Sequence, residues 1–192
     1  MTDRLAAQLA FLIEADRLKS VRRGTTLNDG SRRENSAEHS WHIALFALTL
    51  AEHAIRPIAI DRVIRMLLIH DLVEIDAGDA PIHGDHDAAA LQEAERAAAD
   101  RIFGMLPADQ AADLRALWDE FEDAQSDDAI FAKSIDRVQP VIANLESGGG
   151  TWPEYGVTAD QLENRVGTKV RRGAPAIWAA LKARIDAWFD GR

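Results

Sequence analysis

"MLLIHDLVEIDAGD", residues 66–79, is the stretch that decides how this chain folds. An apolar helical run ends by setting His70 and Asp71 side by side, with Glu74, Asp76 and Asp79 close behind. Burying such charge is costly unless it is paired or bound to a metal. Residues three and four apart share a helix face, so Glu74 can approach the same point as His70 and Asp71. Adjacent residues diverge by about 100°, so His70 and Asp71 can reach one ion only from a helix end or flank. Gly78 and Pro81 place the turn at such an end. Imidazole and carboxylate together suit borderline divalent transition metals. The competing reading is a tautomer-fixing hydrogen bond between Asp71 and His70, beside a solvated acidic face of Glu74 and Asp76.

Outward from this stretch, the periodicity is helical almost throughout. Leu5, Leu9, Leu12, Ile13 and Leu18 line one face of a first helix. The segment "RRGTTLNDGSRREN" (residues 22–35) reads as a loop, marked by Gly24, Asn28-Asp29-Gly30 and four arginines. Ser36 is the expected cap of a second helix through Trp41, Leu45 and Leu48, which Pro57 stops. A third helix begins near Ala59 and carries Val63, Ile64, Leu67 and Leu68 to His70. Asp85 to Gly104 is rich in alanine and glutamate and predicts a further helix. Pro107 is the expected first residue of the next, through Leu114, Leu117, Trp118 and Phe121. Asp127 to Leu145 follows, with a kink expected at Pro140. "ESGGGTWPEYG" reads as the most flexible segment. Two helices, Thr158 to Val170 and Pro175 to Phe189, finish the chain. No β-type alternation of useful length, no repeat and no linker stands out. The expectation is all-α, one compact helical domain of about seven to nine helices over residues 1–192. Its core spans roughly 36–145, with 158–190 packed upon it.

Two other segments bear on the charged cluster. "ENSAEHSWH" (residues 34–42) offers His39 and His42 in the first turn of the second helix. His39 stands nearer the helix entrance, and a core or capping role suits His42 better. His53 has no feature that calls for a function, and His83 and His86 lie in a polar loop that reads as solvated. In "AIFAKSIDRVQPVIANL" (residues 129–145), Asp136 is set among Ile130, Phe131, Ala132, Ile135 and Val138, where a carboxylate needs a partner. Lys133 and Arg137 could neutralise it as readily as a metal could.

The chain of 192 residues, 47% hydrophobic, is long enough for one well-buried domain. Its formal charge of −10 disfavours nucleic acid polymers and anionic membranes as partners. A small anionic substrate remains compatible through a local cluster of cations. With no cysteine, disulfides and thiolate metal sites are excluded. The charged first twenty residues do not read as a signal peptide, and no segment reaches membrane-spanning length, so a cytoplasmic location is expected.

The ordered set "AEHSWH", "LLIHDLVEIDAGD", "AKSIDRVQP" resembles the HD-domain metal-dependent phosphohydrolases, and most closely their 5′-deoxynucleotidase branch. The likeness runs from about Leu18 to Trp152 and takes in "LWDEFE" and the "GGGTW" loop. It implies His39, His70, Asp71 and Asp136 as ligands of one divalent ion per chain (Co, Mn, Zn, Fe, Ni or Mg). It further implies Glu74 as the acid/base residue beside the attacking water and Asp79 as a group on the substrate side or behind the ligands. An arginine upstream of the first histidine contacts phosphate in that branch. Arg23 is the best match, with Arg22 its competitor. The tryptophan that follows this arginine in the branch is absent from "RRGTTLNDG", so deoxy versus ribo preference stays open. Homodimers occur in the branch, and the tryptophan-bearing helices here offer a surface for one.

Chemistry agrees with the resemblance. Two imidazoles and two carboxylates balance a divalent ion, which can lower the pKa of water to about 7. Glu74 could shuttle its proton, and loop arginines could meet the phosphoryl oxygens. Arg32 and Arg33 are expected to pair with Asp29, Glu34 or Glu38. The leading expectation is a phosphomonoesterase releasing phosphate from (deoxy)nucleoside 5′-monophosphates. An HD phosphodiesterase or pyrophosphohydrolase on another nucleotide, or a non-catalytic nucleotide-sensing module, is the alternative.

Overall fold

The computed structural model describes residues 3–191. Helix α1 (Asp3–Ala15) leads through a 3-10 turn (Asp16–Ser20) to strands β1 (Arg22–Thr26) and β2 (Arg33–Asn35). Helices α2 (Ser36–Leu50) and α3 (Ile60–Ile69) follow, and α3 passes through the 3-10 turn His70–Val73 into the single turn α4 (Glu74–Ala77). Then come α5 (Ala88–Phe103), α6 (Ala108–Asp123), α7 (Asp127–Glu146) and the short α8 (Thr151–Glu154). Short α9 (Ala159–Leu162) runs through a π turn (Glu163–Gly167) into α10 (Thr168–Gly173), and α11 (Pro175–Asp190) closes the chain. With continuous segments joined, the described residues hold nine helices, so the all-α expectation stands.

Two apolar clusters build the interior. The larger gathers Ile43 and Ala47 of α2, Val63, Met66 and Leu67 of α3, and Phe131, Ile135 and Val138 of α7, with Trp178 and Leu181 of α11. The smaller joins Phe11 and Leu18 to Leu72, Val73, Ile102, Phe103 and Trp118. The chain crosses from one cluster to the other between Leu67 and Leu72, and His70-Asp71 lies on that seam. Trp118 steadies the crossing, its Nε1–H donating to the His70 carbonyl at 3.1 Å.

Four local expectations need correction. Residues 22–35 form an antiparallel hairpin, with Arg22 opposite Asn35 and Thr26 opposite Arg33, and an irregularity between those pairs. It has no apolar alternation because polar contacts hold it, and so it escaped a periodicity search. The cap of α2 is Asn35, not Ser36: its side chain accepts from the Glu38 amide in a capping box. On α1 the buried residue is Phe11, whereas Leu12 and Ile13 are 61% and 74% exposed. The periodicity was real but did not tell which side of the helix met the core. The "GGGTWPEYG" segment is a tight turn: Gly148, Gly149 and Gly150 all have positive φ. Asn144 Oδ1 accepts from the Thr151 amide at 2.9 Å, and Trp152, 1% exposed, packs on Trp188 and Phe189.

Helix α7 runs through Pro140 without a break. No helix among the described residues is long and apolar enough to cross a membrane.

Candidate metal centre

The first turn of α2 presents His39, the seam presents His70 and Asp71, and the middle of α7 presents Asp136. All four are buried. One ligand atom each from His39, His70 and Asp136 can be chosen so that all three lie within 4.8 Å of one another. His39 Nε2 is 3.0 Å from Asp136 Oδ1, and His70 Nε2 is 3.8 Å from the same oxygen. Asp71 flanks this group with Oδ1 at 2.8 Å from His70 Nε2.

Hydrogen bonds on the outer faces of the imidazoles turn their inner nitrogens toward the carboxylates. His70 Nδ1 donates to the Leu67 carbonyl at 2.9 Å, a bond the helix supplies because the two residues are three apart. His39 Nδ1 donates to Gln139 Oε1 at 3.0 Å, and Gln139 Nε2 donates to Glu34 Oε2 at 3.0 Å. With both Nδ1 atoms donating outward, both Nε2 atoms face carboxylate oxygens: His39 Nε2 shares a hydrogen bond with Asp136 Oδ1, and His70 Nε2 is buried without one. Lone pairs facing lone pairs repel unless a proton or a cation lies between them. Two imidazole nitrogens with carboxylate oxygens are a donor set that fits a borderline divalent metal.

The electrostatics say the same. Burial alone would lower His70, but the Asp71 and Asp136 carboxylates outweigh it and push it up to about 10. Burial works against the charge of Asp136 too, yet Arg137 and the two histidines hold it well below the usual carboxylate range.

Glu74 takes the opposite course, raised well above an ordinary glutamate by burial and then by the Asp71 charge. Its Oε2 accepts from Ser36 Oγ, a hydroxyl left free because Asn35 does the capping. Arg23 reaches in from β1, its Nη1 2.7 Å from Asp71 Oδ2, 3.3 Å from Glu74 Oε1 and 3.5 Å from Asp79 Oδ1. Asp79 Oδ2 accepts from the Gly24 amide at 3.0 Å and so fastens β1 against the site. Arg22 is exposed on the same strand and lines none of the cleft over the site. That cleft has a volume of about 650 Å³ and is bounded by His70, Asp71, Glu74, Asp79 and Asp136.

Other charged residues find ordinary partners. Asp76 pairs with Arg101, Arg32 with Glu38, and Arg33 with Glu154 rather than with a loop acid. Lys133 pairs with Glu122 at 2.9 Å rather than with Asp136, whose carboxylate meets the two histidines and, at 3.7 Å, Arg137 Nε. His42 stacks against Trp41 and edges onto Phe46, away from the cluster. His83, expected to be solvated, is half-buried and lines, with Tyr155 and Trp152, a cavity of about 80 Å³ that shares Arg23, Asp79 and Arg137 with the cleft. Glu34 and Gln139 escaped the sequence reading. Gln139 was detectable as the residue three beyond Asp136 on one face of α7. Glu34 had no such signal, because a strand residue reaches His39 by hairpin geometry alone.

Comparison with known proteins agrees with this construction. An HD-domain family model matches residues 15–178. The mouse protein named 5′-deoxynucleotidase HDDC2 is 28% identical over 142 residues, 73% of this chain and 70% of that protein. The 5′-deoxynucleotidase yfbR of Photorhabdus temperata is 26% identical over 167 residues, 83% of this chain and 84% of its own. A crystal structure described as a predicted metal-dependent phosphohydrolase, from Magnetospirillum magnetotacticum, superposes with a TM-score of 0.89 at 49% identity. It covers 96% of this chain and 95% of that one. The chain belongs to the HD-domain family and is one of its metal-dependent phosphohydrolases.

Proposed function

We propose that this phosphohydrolase is a phosphomonoesterase that releases phosphate from (deoxy)nucleoside 5′-monophosphates. The observation that carries the reading is the convergence of His39 Nε2 and His70 Nε2 on one oxygen of buried Asp136, at 3.0 and 3.8 Å, with Glu74 and Arg23 beside them in an open cleft. Relatives named 5′-deoxynucleotidases, at 26–28% identity, support the substrate class.

In this reading His39, His70, Asp71 and Asp136 hold one divalent ion, with Asp71 offering Oδ1 while Arg23 keeps Oδ2. Such an ion, when bound, supplies positive charge to phosphoryl oxygens and lowers the pKa of water. Arg23 binds the substrate phosphate, and Asp79 positions it by pinning its strand through Gly24. Arg22, facing solvent, is left out of the site. Glu74 takes the proton of the attacking water on Oε1, where the Arg23 hydrogen bond at 3.3 Å is long while Ser36 holds Oε2 closely, and returns it to the 5′-oxygen as the ester bond breaks. A carboxyl held above its ordinary pKa suits both halves of that transfer. We further infer a homodimer through α2, whose Trp41, Leu45 and Leu48 form an exposed apolar stripe beside Leu68 of α3.

The test is a substrate panel on protein loaded with a defined metal. Phosphate should appear from a 5′-monophosphate, and Glu74→Gln should keep the metal while turnover falls by roughly 10²–10⁴. Cleavage of phosphodiesters or pyrophosphates only, with every monophosphate inert, would overturn the proposal.

A further inference from the structure

The cleft gathers four cations from α7 and α10 besides Arg23, in a protein whose net charge is −10, with Glu95, Glu122 and Asp123 also on its lining. Lys133 and Arg137 stand one helical turn apart on α7 and bracket Asp136, and Lys169 and Arg172 project from α10 at the rim. The close approach of the two helices is built in. Ser134 Oγ on α7 reaches the Lys169 carbonyl at 3.3 Å, and Gly173 lies so near that a Cβ there would be 2.8 Å from the Ile130 carbonyl oxygen.

These cations differ in how far they are neutralised. Lys133 has Glu122, and Arg23 is shared among four carboxylates. Among the described residues Arg137 pairs with Asp136 alone, at 3.7 Å, and its Nε is buried with no hydrogen bond. Arg172 donates to the Ala124 carbonyl, and neither it nor Lys169 makes an ion pair among the described residues. Burial first, and then the charges of Arg137 and Lys133, depress the Lys169 ammonium below an ordinary lysine. Crowding like charges is unfavourable, and an anion placed among them reverses the sign.

We propose that Arg137, Lys169 and Arg172 form a second anion subsite, so that the preferred substrate is a nucleotide carrying a further phosphate besides the one hydrolysed. The inference rests on the phosphomonoesterase reading and extends it: Arg23 meets the reacting phosphate, and the α7–α10 wall meets the other. A nucleoside monophosphate fills the first position and leaves the second to water.

The experiment compares binding of deoxyadenosine 5′-monophosphate and deoxyadenosine 3′,5′-bisphosphate, by calorimetry on the manganese-loaded Glu74→Gln protein. The bisphosphate should bind at least about tenfold more tightly. The double substitution Lys169→Gln/Arg172→Gln, at exposed positions, should bring the ratio of the two dissociation constants to within about threefold of one. Arg184→Gln, a charge loss on α11 outside the cleft, should leave the ratio as it was. Equal affinities in the parent, or a preference that survives the double substitution, would overturn the subsite. Phosphate release by the unsubstituted enzyme is measured alongside. Turnover of the monophosphate with no bisphosphate preference removes the subsite alone, and failure of both nucleotides to bind removes the phosphomonoesterase reading with it.

Discussion

At the residue level, the candidate metal centre is held by groups outside the proposed ligand set. Gln139 holds His39 by Nδ1 and passes the restraint on to Glu34, so the imidazole is fixed in both tautomer and direction. Gln139→Leu should therefore weaken metal affinity about 10–100-fold while leaving the helical circular dichroism intact, as metal titration would reveal. His83 gives a pH signature away from that centre. Burial, reinforced by Arg165 and Arg137, depresses it to about 4, so the unfolded chain binds a proton near pH 6.5 that the folded chain refuses until about pH 4. The stability His83 contributes is present above pH 6.5 and is lost as pH falls through that window. Thermal melts from pH 7 to 4 should show a shallower loss for His83→Asn. The difference should be on the order of 1 kcal/mol, because partial solvent contact screens the effect. Lone ionisable residues in apolar runs were what made the centre legible in sequence. His70, Asp71 and Asp136 each interrupt a hydrophobic stretch, and helical spacing puts Glu74 beside them. The supporting groups were hidden because nothing in a one-dimensional pattern says that a strand glutamate will meet a helix histidine.

At the level of elements, small residues set the distances. Gly173 lets α10 lie on α7 with no room for a side chain, a Cβ there meeting Ser134 Oγ at 2.6 Å and backbone at Ile130. Gly173→Ala should cost about 1–3 kcal/mol in urea denaturation, because backbone rather than a rotatable group blocks it. Adding Ser134→Ala should recover only part of that loss. The longer helices were readable from periodicity and propensity, and α7 came within a residue of its expected range, whereas the caps of α2 and α6 fell one residue off, at Asn35 and Pro107. The hairpin was not. Its pairing is held by polar anchors, Asp79 on Gly24 and Arg33 on Glu154, which leave no alternating pattern to read.

For the whole molecule, the apolar surface left over is the informative quantity. The stripe of Trp41, Leu45 and Leu48 is 45–63% exposed, while the opposite side of the same helix buries Ile43, Ala44 and Ala47. A helix apolar on both sides faces one core inside its own chain and, as proposed above, a second copy outside it. Sedimentation should find a dimer, and Leu48→Glu should convert it to monomer without changing the α-helical signal. The seam between the two apolar clusters has one more consequence. His39, His70 and Asp136 are separated by 31 and 66 residues of chain, and the chain contains no cysteine. A divalent ion gripping all three would close two long loops at once, giving a disulfide-free protein the topological equivalent of a cross-link that can be inserted or withdrawn.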